Sequence, residues 1–285
     1  MLEAGLTPAM RVLADLLESR TGQKLSEARR WRIETSLKPV LKAHRLSSLD
    51  SLAAAILADA GGALAQAAVD ALLNNETCFF RDAQLFRMVA DDLFPALMAA
   101  DGRGRRERTL HLWCAGCSTG QEAYSLAMLF RTHQDRWPDW RLRIMATDIS
   151  AEAVGRARQG LFSQNEVQRG LPINELLRWF EPSGDQWRID PSLREMIDFR
   201  AANLFDERPP AHPYAAVFCR NVLLYFSGER KSRLLDILSR ALDSGGYLLL
   251  GAGETVIGQR SQFVASHQFR GVYERIGAPL FDPVI

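Results

Sequence analysis

One stretch of this chain leaves few folds open: Leu112-Trp113-Cys114-Ala115-Gly116-Cys117-Ser118-Thr119-Gly120-Gln121-Glu122 runs from an apolar strand through a turn of small residues into a helix. Glycines in such a turn permit positive φ and bring a ligand close to the backbone, while the helix N-terminus offers amide donors to an anion. The spacing is neither the GxGxxG of a dinucleotide site nor the P-loop pattern, so nicotinamide and ATP are disfavoured. A tight packing turn without a ligand stays open. Gly116-Cys117-Ser118-Thr119-Gly120 also fits the GxSxG nucleophile elbow, which would make Ser118 the nucleophile of an α/β-hydrolase. That enzyme needs an acid and then a histidine further on, and only His133, His212 and His267 follow. Cys114 and Cys117 form a CxxC, but no second cysteine pair or histidine pair is spaced to complete a zinc site.

The segments that follow repeat the strand-to-helix alternation of a parallel sheet with crossover connections. Strands are expected at Leu110–Ala115, Leu142–Thr147, Ala215–Cys219 and Tyr247–Leu250, with a final strand near Val272–Ile276. Helices are expected near Glu122–Phe130, Ala151–Arg158 and Glu229–Leu242, the last with Ser227 as N-cap. Residues 160–202 break the alternation with a short amphipathic helix, Ile173–Phe180, and two short strands around Trp187 and Ile197, and read as an insertion.

Ahead of the sheet the sequence is helical. Thr7 is placed to cap a helix with Pro8 at its first position, a second helix begins at Ser26, and alanine- and leucine-rich segments follow Ser48 and Gly62. With 285 residues, 47% of them hydrophobic, the chain can bury a full α/β core and still carry this smaller bundle. The expected division is a helical N-terminal domain over 1–75 and a second domain over 76–285.

Charge bounds the partners. The 35 basic and 34 acidic side chains nearly cancel, so no whole-molecule field holds the protein on nucleic acid or a membrane. The basic character is local: Arg20, Lys24, Arg29, Arg30, Arg32, Lys38, Lys42 and Arg45 face only Glu27 and Glu34 within Arg20–Arg45. No apolar run is long enough to span a bilayer, Met1–Met10 lacks the features of a signal peptide, and four cysteines suggest no disulfide framework, so a cytoplasmic location is expected.

After the second expected strand comes Ala146-Thr147-Asp148-Ile149-Ser150, which sets a carboxylate at a carboxyl end of the sheet, where open α/β folds bind ligands. Asp148 can accept both ribose hydroxyls of an adenosine, or it can cap the helix that begins with Ser150 and Glu152. Phe218-Cys219-Arg220-Asn221-Val222-Leu223-Leu224-Tyr225-Phe226 brings Asn221 and Tyr225 to the same edge, with Val222, Leu223 and Phe226 as core.

Together with Asn75-Glu76-Thr77-Cys78-Phe79-Phe80-Arg81-Asp82, these segments resemble the CheR family of protein-glutamate methyltransferases. The resemblance carries an N-x-T-x-F-F-R-D/E signature at Asn75, an S-T-G-E-E-x-Y-S turn at Ser118, a ribose-binding strand end at Asp148 and a C-R-N-V-x-x-Y-F segment at Cys219, in that order. It implies a seven-stranded class I (Rossmann-like) methyltransferase sheet with a helical N-terminal domain and a small β insertion within 160–202. The implied cofactor is S-adenosyl-L-methionine, leaving as S-adenosyl-L-homocysteine, and the implied substrates are glutamates on cytoplasmic helices of transmembrane chemoreceptors, methylated by a monomer.

By the same resemblance Asn75, Thr77 and Arg81 touch the methionine end, Glu122 and Asp148 its polar groups, and Asn203 and Leu204 the adenine. Arg220 and Asn221 close the pocket, and Arg81 and Tyr225 face the transferred methyl. Two departures stand out: Gln121 replaces the first of the paired acids, and Gly251-Ala252-Gly253-Glu254 lacks the His and Ser often found there. Two other classes are weighed beside this one. A non-catalytic S-adenosylmethionine-binding module is disfavoured by the presence of both Arg81 and Tyr225. A nucleic-acid methyltransferase is disfavoured because no Pro-Pro follows Asn221.

Overall fold

The computed structural model describes residues 6–25, 30–101, 108–206, 213–259 and 262–276. The expected helix start at Ser26, the side chains of Arg29 and Arg30, His212 and the first five residues lie outside the described residues. The chain forms two compact units. One takes the residues up to Asn74 and then Leu224–Arg230, and the other takes Asn75–Leu223 and the chain from Lys231.

Among its described residues the first unit contains four α-helices, α1 (Pro8–Thr21), α2 (Arg30–Ala43), α3 (Leu49–Ala58) and α4 (Ala63–Leu72). Local chemistry starts them where the sequence suggests. The Thr7 hydroxyl accepts from Met10 N with Pro8 at the first position, and Ser48 forms a reciprocal capping box with Ser51. Leu13, Ile33, Leu37, Val40, Leu52 and Ile56 form its core. Arg20 ties α1 to α4 and to the turn before it, donating to the Gln66 side chain at 2.8 Å and to the Ala60 carbonyl.

The second unit opens with α5 (Ala83–Met88), which continues through a π-helical stretch, Val89–Leu93, into α6 (Phe94–Asp101). Then follow β1 (Thr109–Ala115), α7 (Gln121–Thr132), β2 (Arg141–Asp148), α8 (Ala151–Gln159), β3 (Leu161–Ser163), α9 (Gln164–Gln168) and α10 (Ile173–Trp179). The remaining elements are β4 (Phe180–Ser183), β5 (Gln186–Ile189), α11 (Pro191–Arg194), β6 (Ile197–Ala201), β7 (Tyr214–Cys219), α12 (Gly228–Ala241), β8 (Leu242–Leu250), β9 (Phe263–Ala265) and β10 (Val272–Arg275). The strand and helix expectations hold to within a few residues, except that β8 begins five residues before Tyr247.

Seven strands make the main sheet in the order β6-β2-β1-β7-β8-β10-β9. The first five are parallel, and β10 and β9 are antiparallel to their neighbours. Strand order reverses between β1 and β7, so the carboxyl ends of these two strands form the crevice in which doubly wound sheets bind ligands. In β1 the alternation is legible in the side chains: Leu110, Leu112 and Cys114 are buried, while His111 and Trp113 are half-buried. Helices α7 and α8 pack on β2 and β6.

The strand around Ile197 corrects the sequence reading. It belongs to the main sheet as β6, pairing parallel with β2 through Ile144 and Ile197, and not to the insertion. The insertion itself is a three-stranded sheet, β3-β5-β4, that includes two strands not expected from sequence. Its hairpin turns on two residues, Gly184 and Asp185, with Gly184 at φ 65°. Phe162 and Phe180 anchor the small sheet by packing edge-on against Phe79. Strand β10 lies inside the sheet, and the unforeseen β9 forms its edge.

Candidate active site

The turn after β1 is built from backbone that most residues avoid. Gly116, Ser118 and Gly120 have φ of 84°, 51° and 92°. At Gly116 a Cβ would sit 2.5 Å from Val222 Cγ2, so only glycine fits there. The amides of Gly116 and Cys117 donate to the Thr147 carbonyl at 2.8 and 2.9 Å, binding the turn to the end of β2. Ser118 fixes it further: its amide donates to Asp148 Oδ2 and its hydroxyl to the Asn75 carbonyl, both at 2.7 Å.

Asp148, only 9% exposed, accepts a second amide bond from Ser150 at Oδ1, 2.9 Å. The N-cap of α8 is Ser150, whose hydroxyl accepts from Ala153 N, so Asp148 is not the helix cap. Burial pushes its carboxyl above the ordinary range, and the amides of Ser150, Ser118 and Ile149 pull the other way. The amides bonded to the two oxygens do not exhaust the roughly four acceptor positions of the carboxylate, which leaves capacity for a diol hydroxyl.

Glu122 stands in the first turn of α7 and meets Arg220 from the end of β7, with Nη1 to Oε2 at 3.0 Å. Burial pushes the Glu122 carboxyl upward; Arg220 and then Arg81 lower it, and Glu254 raises it. The Arg220 side chain is 4% exposed, and its Nη2 donates to the Arg81 carbonyl at 2.9 Å and lies 3.7 Å from Asp82 Oδ2. Its Nε is buried with no hydrogen-bond partner among the described residues. Gln121 is buried within the turn, where its Oε1 accepts from the Thr119 hydroxyl at 2.8 Å.

Asn221 has φ 60° and donates its amide to Glu254 Oε2 at 2.6 Å; the same oxygen accepts from Gly251 N at 2.8 Å. Glu254 therefore joins the ends of β7 and β8. The Asn203 side chain accepts from Phe205 N at 3.0 Å, and Ala202 N donates to the Asp148 carbonyl at 2.8 Å. Asn203 and Leu204 line a groove of about 860 Å³ together with Trp113, Thr147 and Tyr214. The side chains of Asp148, Glu122 and Arg220 do not line that groove. Thr77 is half-buried and the Arg81 side chain exposed. Tyr225 belongs to the first unit, where its hydroxyl accepts from Asn74 Nδ2 at 2.6 Å.

Residues 75–272 match the CheR methyltransferase, SAM binding domain. The chain belongs to the CheR methyltransferase family. It is 36% identical over 256 residues to the chemotaxis protein methyltransferase of Vibrio parahaemolyticus, covering 89% of this chain and 91% of that one. It is 35% identical over 250 residues to chemotaxis protein methyltransferase 1 of Vibrio cholerae, covering 87% and 89%. Chemotaxis protein methyltransferase 1 of Pseudomonas aeruginosa is 35% identical over 248 residues, covering 84% and 87%. The main sheet is thus the class I methyltransferase sheet of a CheR-family enzyme, and its cofactor is S-adenosylmethionine.

The residues present suit that cofactor. A carboxylate with unused acceptor positions stands at the end of β2, a buried guanidinium keeps an unpartnered Nε, and the left-handed turn between them keeps side chains away from the backbone. The alternatives lose their footing. The Ser118 hydroxyl is bonded to Asn75, and His133 lies beyond the far end of α7, about 18 Å along a helix of this length. Burial pushes the Cys114 and Cys117 thiols up, which disfavours thiolates, and no group of three metal-binding side chains occurs among the described residues.

Two participants were not legible beforehand. Glu254 lies in the loop that departs from the family pattern, and an acid three residues after Gly251, at the carboxyl end of β8, was the available signal. Asn74 immediately precedes the Asn75 signature and carried no signal of its own.

Proposed function

We propose that this enzyme methylates glutamate side chains on the cytoplasmic helices of chemoreceptors, forming glutamate methyl esters, and works as a monomer in the cytoplasm without acting on nucleic acid. The observation that carries the reading is the set formed by Asp148, the Gly116–Gly120 turn and the Glu122–Arg220 pair, within the segment matched to the CheR family. The names of the relatives, which are chemotaxis protein methyltransferases, support a protein substrate that belongs to chemotaxis.

The cofactor, when bound, supplies an electrophilic methyl on a sulfonium. Asn75, Thr77 and Arg81 hold its methionine end, Asp148 accepts the ribose hydroxyls, Glu122 and Arg220 hold its charged groups, Asn203 and Leu204 flank the adenine, and Asn221 closes the pocket. A glutamate with an ordinary value near 4.3 is already an anion at neutral pH, so the chain needs no general base. Its residues have to align the attacking oxygen and exclude water, and alignment is worth about 7 to 11 kcal/mol. Charge is neutralised as the ester forms, so Arg81 orients the carboxylate without pairing with it tightly, and the Tyr225 hydroxyl donates to the attacking oxygen.

Substrate docking falls to the basic helix α2 and the turn after it, where Lys38, Lys42 and Arg45 are exposed. No helix among the described residues is long and apolar enough to cross a membrane. The deciding experiment is transfer of a labelled methyl group to receptor cytoplasmic fragments, RNA and DNA in parallel. The reading requires label on the receptor fragment alone, released as methanol by mild base. Base-stable label, or label on either nucleic acid, refutes it.

A further inference from the structure

Trp31, at the start of α2, is 69% exposed and is the one aromatic among the large apolar side chains that stand in water in the described residues. A single exposed apolar side chain is ordinary on a protein surface, so exposure alone assigns nothing. Its place on the helix does. Ile33, Leu37 and Val40 are the buried residues of α2 and turn its inner face into the first unit. At 3.6 residues per turn the line opposite them runs through Trp31, Thr35, Lys38 and Lys42, and all four are exposed. The indole therefore stands on the centre of the outward ridge of the basic helix.

The ridge has two ends of different chemistry. Lys38 and Lys42 lie one turn apart with Arg45 just beyond the helix, while Trp31 stands about 10 Å before Lys38, two turns along the axis. Glu34, the one acid of α2, lies to the side of this line. Such a ridge complements a helix that carries two carboxylates one turn apart and an apolar side chain two turns from the nearer of them. Exposed ion pairs contribute little and are screened by salt, whereas an indole that leaves water adds a contribution that salt does not screen. Single-stranded nucleic acid also meets tryptophan beside lysine, but it stacks successive bases on several rings, and α2 carries one.

We propose that Trp31 is the apolar anchor of substrate docking, packing on an apolar residue of an acidic receptor helix whose carboxylates face Lys38 and Lys42. This rests on the proposed function, which makes such a helix the substrate. The anchor gives the docking face a selectivity that charge alone lacks. An acidic helix without the apolar residue is held weakly and released by salt, and a helix with both parts stays bound. Every residue of the ridge belongs to the first unit, so binding can be measured directly and apart from methyl transfer.

The test uses the full chain and measures the Kd of a receptor cytoplasmic fragment at low and at high salt, the Kd of S-adenosylhomocysteine, and the melting temperature. A single-stranded RNA of mixed sequence is titrated alongside. Trp31→Ala should weaken the fragment about 10- to 30-fold at both salt concentrations, the loss expected of a truncated interface anchor. Trp31→Phe should lose less, since it keeps a ring. Lys38→Gln combined with Lys42→Gln should weaken the fragment at low salt and much less at high salt. The Trp31 variants should hold S-adenosylhomocysteine affinity within about twofold and keep the melting temperature, because the indole lies outside the core.

Wild-type affinity for the fragment in Trp31→Ala, or a loss that disappears at high salt, would overturn the anchor. So would a loss matched by a fall of several degrees in melting temperature, which would assign Trp31 to packing within the first unit. RNA bound more tightly than the fragment, and released by Trp31→Ala, would make the ridge a nucleic-acid site and overturn the proposal as well. A wild-type enzyme that labels no receptor fragment would overturn the proposed function, and the anchor with it. Label on the fragment together with indifference to Trp31 would overturn the anchor alone.

Discussion

Asp148 is the residue whose removal the structure divides into two measurable costs. Its oxygens accept from Ser118 N at 2.7 Å and Ser150 N at 2.9 Å, and the side chain is buried. Asp148→Ala leaves both amides without that acceptor, at about 1 to 3 kcal/mol for each buried group, so the ligand-free protein should melt several degrees lower. Loss of a charged acceptor for the ribose diol costs about 1.5 to 3 kcal/mol, which weakens S-adenosylhomocysteine about 10- to 150-fold. Calorimetry well below the melting transition isolates the second cost from the first. Asp148→Asn separates them again, since its amide oxygen keeps one of the two backbone bonds while its NH2 faces the other donor. It should be the more stable variant and bind the cofactor little better than Asp148→Ala. The pH dependence has two opposite signs. Because the folded carboxyl sits above its ordinary value, its contribution to stability is largest at low pH and is lost as pH rises through that raised value. Cofactor affinity runs the other way, falling on acidification as the charged acceptor is protonated, and Asp148→Asn should flatten that fall. A folded Asp148→Ala protein with unchanged cofactor affinity would remove Asp148 from the site.

For docking, charge reversal at exposed Lys38, Lys42 and Arg45 should raise substrate KM about 3- to 150-fold at low salt, from three partly screened contacts at about 0.2 to 1 kcal/mol each, with cofactor affinity unchanged. A KM indifferent both to salt and to the reversal would place the receptor elsewhere. Arg32 is a poorer probe, since it is bonded to Asn74 and its loss should also disturb the packing of the first unit. Glu254→Ala should free the Asn221 and Gly251 amides and lower cofactor affinity and melting temperature together, whereas Glu254→Gln keeps an acceptor oxygen and should lose less; equal behaviour of the two would deny the bridging role. At saturating cofactor and substrate, kcat should be flat from about pH 6.5 to 8.5, because an ionised glutamate needs no base. A tenfold rise per pH unit across that window would show that a proton is removed in the rate-limiting step.

What could be read in the sequence was local, and what could not was a pairing across distance. Thr7, Pro8, Ser48 and Ser150 act within four residues of themselves, and their helices begin where those residues stand. The turn after β1 was equally legible, since glycines at 116 and 120 signal positive φ whatever surrounds them. By contrast β6 has only Ile197 and Phe199 directed inward, a pattern equally suited to a small hairpin, and its true partner β2 lies some fifty residues earlier. The three residues of β9 carry too little alternation to announce a strand. In the site, the residue types were visible but their bonds were not. Nothing near Glu122 states that Arg220, 98 residues later, pairs with it, and nothing near Asp148 states that the Ser118 amide takes one of its oxygens.

That pairing alters how the site's charge should be understood. Taken one at a time, Arg220 adds a cation and Glu122 an anion to a pocket where, under the proposed function, a sulfonium and a carboxylate would cancel. Joined at 3.0 Å, Arg220 and Glu122 cancel one another, while the carboxylate of Asp82, 3.7 Å from the same guanidinium, stands partly exposed. Burying such a pair gives little net stability, because desolvation offsets the attraction, so its contribution here is geometric. Arg220 also donates to the Arg81 carbonyl, which fixes the backbone from which the Arg81 side chain extends. The buried arginine thus works on structure, and under the proposed function the exposed arginine is the one that meets the substrate. A reaction that loses charge as it proceeds would be served by that division: the buried guanidinium is compensated by Glu122, and the exposed guanidinium of Arg81 would be left to orient the carboxylate without holding it back.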